Sequence, residues 1–76
     1  MTYHELKEGD IFLINDIKPQ PKKKTAEGYV DLVTGETWRD QDIPEAAKTD
    51  FQYDVIDKQE LEYWMGKLNF KLAVDL

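Results

Sequence analysis

The chain contains no cysteine, and in a polypeptide of 76 residues that absence decides what must hold a fold together. A domain of this size buries only about 60% of the surface its unfolded chain exposes, so small domains commonly lean on disulfides, a structural metal or a partner. Disulfides are excluded here, and a single histidine, His4, leaves no ligand set for structural zinc. What remains is a packed apolar core. Residues to build one are present: 41% of the chain is apolar and 12% aromatic, too much for a disordered acidic tail.

The same inventory narrows the chemistry. There is no serine, so hydroxyl nucleophiles reduce to Thr2, Thr25, Thr34, Thr37 and Thr49, and hydrolase triads and thiolate catalysis drop out. Carboxylate pairs could serve acid–base chemistry only at a separation that spacing along the chain does not fix, and in a pocket deeper than a small domain offers. No residue is assigned a catalytic role, and the chain reads as non-enzymatic. Asp40, Asp42 and Glu45 raise the question of a hard cation, but Pro44 stands where a calcium loop would turn, so neither a metal nor a cofactor is expected. His4 reads as a solvated side chain.

The longest apolar run, Ile11-Phe12-Leu13-Ile14, is far short of the roughly 18 residues of a membrane span. Met1 to Glu5 carry no basic region followed by an apolar one. Both features predict a cytoplasmic protein without a membrane partner, in the host cytoplasm if its source is viral.

Charge is unevenly placed. The net charge of −6 is concentrated between residues 26 and 66, where Glu27, Asp31, Glu36, Asp40, Asp42, Glu45, Asp50, Asp54, Asp57, Glu60 and Glu62 face only Arg39, Lys48 and Lys58. Both flanks are slightly basic, so the molecule is expected to be dipolar. An acidic surface keeps a small domain soluble, and it also steers encounter with basic partners.

The pattern along the chain predicts one domain over residues 1–76. Ile11–Ile17 reads as a strand buried on both faces, ended by Pro19 and Pro21. Lys18-Pro19-Gln20-Pro21-Lys22-Lys23-Lys24 reads as a basic loop within that domain. Gly28–Val33 and Glu36–Arg39 make a hairpin, with Gly35 supplying the positive φ of a tight turn. Asp42–Lys48 suggests a short helical turn with Asp42 as its cap. Phe51, Tyr53 and Val55 alternate as a half-buried strand. Asp57 then caps a helix whose Leu61, Trp64, Met65 and Leu68 fall at i, i+3, i+4 and i+7. Phe70, Leu72, Val74 and Leu76 alternate at period two and predict a C-terminal strand. The fold class is α+β: a twisted antiparallel sheet of about five strands with one amphipathic helix near the C-terminus. Leu6-Lys7-Glu8-Gly9-Asp10, leading into a strand, a basic loop and a tight hairpin, resembles the opening of small SH3-like barrels, which implies a sheet curled toward closure.

These residues predict a small protein-binding module, an inhibitor or adaptor that engages a basic protein. Its contact residues are expected among Asp31, Glu36, Asp40, Asp42, Glu45 and Asp54, with Trp38, Arg39 and Tyr63 supplying contact area. In size and charge the chain is similar to small bacteriophage accessory proteins that bind host enzymes. Two other classes stay open. Lys18, Lys22, Lys23 and Lys24 could touch phosphates or other anions while Tyr29, Trp38, Phe51 or Tyr53 stack on single-stranded bases. The chain could also be a structural subunit completed by self-association. Trp38 is open between core and interface, whereas Trp64 belongs to the helix stripe and Tyr63 lies off it.

Overall fold

Four consecutive apolar residues form β1 (Ile11–Ile14), with side chains that alternate into two separate hydrophobic clusters, one on each face of the sheet. The computed structural model describes residues 1–15 and 19–76. The expected continuation of β1 through Asp16 and Ile17, and Lys18 after it, lie outside the described residues. β2 (Lys22–Lys24), β3 (Gly28–Asp31) and β4 (Thr37–Arg39) follow as a meander, and β5 (Tyr53–Val55) returns to the other side of β1. The result is a five-stranded antiparallel sheet in the order β4-β3-β2-β1-β5, and with its helices it is an α+β domain. Among the described residues no ladder joins β4 to β5, so the sheet keeps two edges.

Two expectations fail and offset one another in the strand count. The lysine stretch is not simply a loop: Lys22–Lys24 is the middle strand, paired with β1 on one side and β3 on the other. Lys22 lies opposite both Phe12 and Asp31 and is only 4% exposed; its ammonium donates to the Gln20 carbonyl at 2.7 Å and stands 3.8 Å from the Asp31 carboxylate. Lys24, on the same face, extends its Nζ over the Tyr3 ring. The strand admits Lys22 and Lys24 on its core face because their stems pack while their ammonium groups find partners, Lys24 donating to the Thr25 carbonyl at 2.6 Å. The C-terminal segment, conversely, is not a strand. Leu72 and Val74 pack against the second cluster, but among the described residues the backbone tie toward the sheet is one hydrogen bond, donated by the Ala73 N–H to the carbonyl of Leu32 just past β3.

The register sorts side chains by face. On one face Phe12, Ile14, Tyr29 and Tyr53 meet Tyr3, Leu6 and Ile43, with Ala47 and Phe51 at the margin. On the other Leu13, Val30 and Leu32 meet Ile56 and Leu61, flanked by Ile11, Trp64, Met65, Leu72 and Val74. α2 (Lys58–Leu68) lies on this second face; Asp57 caps it by accepting the Glu60 N–H at 2.8 Å, and Asn69 ends it in the left-handed conformation at φ 54°. The first face is covered by a 3-10 turn at Tyr3–Glu5 and by α1 (Glu45–Asp50), whose cap is Pro44 rather than Asp42. The expected tight turn is present, with Gly35 at φ 78°. In β5 the expected alternation breaks at its end: Tyr53 is core, but Val55 is exposed.

Candidate functional site

On the first face the covering elements leave a gap. Asp40–Asp42 forms a 3-10 turn directly after β4, and the chain then runs through Ile43 and Pro44 into α1. Between this arm and the sheet lies a groove of about 260 Å³ lined by Ile14, Tyr29, Trp38, Ile43, Pro44, Ala47, Phe51 and Tyr53. Its floor is Tyr53, whose hydroxyl donates to the Ala47 carbonyl at 2.9 Å and so ties α1 to the sheet. Every lining side chain is apolar or aromatic, so the groove suits apolar surface.

Trp38 stands at its edge. It lies directly across the ladder from Tyr29, the two rings stacked with centroids 6.1 Å apart, and it remains 39% exposed. The sequence left Trp38 between core and interface, and the structure divides it: the ring stacks on Tyr29 while part of the residue stays open to solvent at the groove margin. Burial pushes the Tyr29 phenol up to about 12, with Tyr53, Asp31 and Glu36 adding to the effect. Tyr53 is raised by burial as well, and Tyr3 by burial and by the hydrogen bond it donates to Asp40. These phenols are therefore neutral around the groove at ordinary pH.

The acidic residues divide into engaged and available ones. Asp31 does not belong to an acidic surface: it is 6% exposed, pairs with Lys22, and accepts the Val33 and Thr34 N–H groups at 2.8 and 3.1 Å. Its burial removes it from the expected contact set, as burial removes Lys22 from the expected anion contacts. Lys23 and Lys24 are half-buried. Glu45 receives His4 Nε2 at 3.1 Å and stands 3.8 Å from the Lys48 ammonium, and Asp54 accepts from the Asn15 and Gln52 side-chain amides. Glu36 and Asp42 are exposed, and among the described residues no side chain hydrogen-bonds their carboxylates. Six of the eight residues lining the groove come from residues 36–54, a segment in which Glu36, Asp40, Asp42, Glu45, Asp50 and Asp54 oppose only Arg39 and Lys48.

Tyr63 is not brought to this site. It projects from α2, on the opposite face of the sheet, 58% exposed and edge-on to Trp64 at 5.5 Å, with the Lys67 ammonium over both rings. Sequence reasoning also missed Ile43, Pro44 and Ala47 as lining residues. The available signal was weak: Ala47 lies one helical turn from Ile43, a spacing too short to establish an apolar stripe. Compared with protein-family models, curated proteins and solved structures, the chain matches none of them.

Proposed function

We propose that this protein is a binding module for a basic protein, taking an apolar side chain of its partner into the groove beside Trp38. The observation that carries this reading is the half-exposed Trp38 ring, stacked on Tyr29 at the margin of an apolar groove within an acidic segment. Aromatic residues seated in pockets and framed by polar groups dominate binding energy at protein interfaces. Carboxylates around such an anchor accelerate encounter with a positively charged partner and select against acidic ones. The mechanism is occlusion: the partner's contact segment is covered while bound, with no covalent chemistry.

The test is capture from nuclease-treated bacterial lysate on the tagged protein, elution in salt steps, and a binding titration of whatever basic protein is recovered. Trp38→Ala is expected to weaken that complex by about 2–3 kcal/mol, roughly a hundredfold, while the isolated variant loses only about 1 kcal/mol of stability from one stacked pair. A variant that binds as tightly as the parent refutes the assignment of Trp38, and so does retention of nucleic acid alone.

A further inference from the structure

The two edges of the sheet are treated differently. In β5 the residues hydrogen-bonded to β1 alternate with residues whose N–H and C=O point outward, and Tyr53 is one of the latter. Its outward groups are already taken: the Tyr53 N–H donates to the Met1 carbonyl at 2.8 Å, and the Met1 amine donates to the Tyr53 carbonyl at 3.2 Å. Among the described residues β4 has no such cover. Asp31 N–H bonds the Glu36 carbonyl and Asp40 N–H bonds the Glu27 carbonyl, which makes Tyr29 and Trp38 the inward-bonded pair between them. Thr37 and Arg39 therefore turn their N–H and C=O groups away from β3, and all three residues of β4 are exposed. An open edge beside a groove is where an extended segment adds as a strand.

The alternation of β4 also states what such a strand must carry. Trp38 lies on the groove face, and so, two residues to either side, do Glu36 and Asp40, since the ladder bonds extend through both. Glu27, opposite Asp40, adds a fourth group to that face. The edge thus presents acid, tryptophan, acid at alternate positions. A second copy is a poor occupant: pairing β4 with itself about Trp38, the register that uses every outward group, sets Glu36 of each copy opposite Asp40 of the other.

We infer that β4 is a docking edge for an extended segment of the basic partner, which adds as a sixth strand on the backbone of Thr37 and Arg39. The segment carries Lys or Arg, an apolar residue, and Lys or Arg at alternate positions, the apolar one entering the groove beside Trp38 and the two cations meeting Glu36 and Asp40. This inference rests on the groove reading above and adds to it the mode of binding and the chemistry of the ligand.

The probe is the peptide Thr-Lys-Thr-Leu-Thr-Lys-Thr, palindromic so that strand direction is immaterial, titrated into the full chain while amide exchange is followed by NMR. Exchange of the Thr37 and Arg39 amides is expected to slow about tenfold at saturation, as ladder hydrogen bonds form. The effect is expected to vanish with a peptide N-methylated at alternate residues, and binding to weaken at least tenfold when Glu replaces both Lys. Shifts confined to Trp38 and the groove, with Thr37 and Arg39 exchanging at their free rates, overturn strand addition and leave the groove reading in place. Absence of any shift overturns both. Equal binding of the Lys and Glu peptides overturns the basic ligand, and protection that grows with protein concentration in the absence of peptide shows that a second copy takes the edge instead.

Discussion

The position of Trp38 depends on a hydrogen atom across the ladder. A Cβ built on Gly28 would fall 1.8 Å from the Trp38 carbonyl oxygen and 2.8 Å from its carbonyl carbon, so β4 lies closer to β3 there than any side chain allows. The requirement is one of space rather than of backbone conformation, unlike Gly35 at φ 78°. Gly28→Ala must displace β4, and overpacking of this kind costs about 1–3 kcal/mol. Urea unfolding is expected to show that loss together with a red-shifted Trp38 emission; an unchanged midpoint would show that β4 yields freely. At this scale the sequence was partly readable. Trp38 drew attention because a tryptophan beside an arginine is an interface composition, yet its position depends on Tyr29 opposite it and on Gly28 opposite Arg39, a register that pattern alone cannot set. Lys22 and Asp31 were misread for the reverse reason. A lysine and an aspartate look solvated until the β2–β3 register sets them face to face in the interior.

Elements were legible in proportion to how local their causes are. The start and the buried stripe of α2 were legible, because an Asp cap and apolar residues at helical spacing act within a few residues, whereas its left-handed end at Asn69 was not read. The Asp57 carboxylate satisfies the Glu60 N–H, and without it that donor turns to water at the price of about 1 kcal/mol. Asp57→Ala is expected to lower Tm by about 4–8 °C for a domain of this size, and Asp57→Asn, which keeps the accepting oxygen, to restore most of it. Equal melting of both variants with the parent would mean that α2 is held by Leu61 and its neighbours alone. β2 lacks any local cause. Its strand character comes from pairing with β3 across a short turn and with β1 on its other side, neither of which a charged run announces, so three lysines after two prolines looked like a loop. The C-terminal alternation was real, as Leu72 and Val74 pack inward, but packing at period two does not supply a ladder partner. The groove, formed where β4, α1 and β5 meet, was illegible for the same reason: its lining is drawn from four separated stretches.

For the molecule as a whole, the first face of the sheet gathers phenols from three distant segments into one cluster. Tyr3 and Tyr53 lie 5.6 Å apart edge to face, and Phe12 bridges Tyr53 to Tyr29 at 5.8 and 5.7 Å. Burial raises all three phenols above the ordinary value of 10.0, Tyr29 to about 12. Between 10 and those raised values the folded chain keeps protons that the unfolded chain releases, so stability is intact below pH 10 and falls as pH rises above it. Lys22 acts in the opposite sense: burial holds its ammonium below the ordinary 10.5, despite Asp31, so over that interval the unfolded chain binds the extra proton and stability rises as the amine neutralises. One amine relieved before 10.5 does not offset three phenols that must ionise beyond 10, and alkaline unfolding follows. In a Tyr63→Phe background, which leaves only the three clustered phenols, tyrosinate absorbance and far-ultraviolet circular dichroism are expected to change together in one transition above pH 10, and Tyr29→Phe, with one fewer proton to lose, is expected to move that transition upward. Ionisation of all the phenols near 10 with the dichroism intact would mean that water reaches the cluster, and the face that carries Trp38 and its groove would then lack the rigid floor that the proposed binding requires.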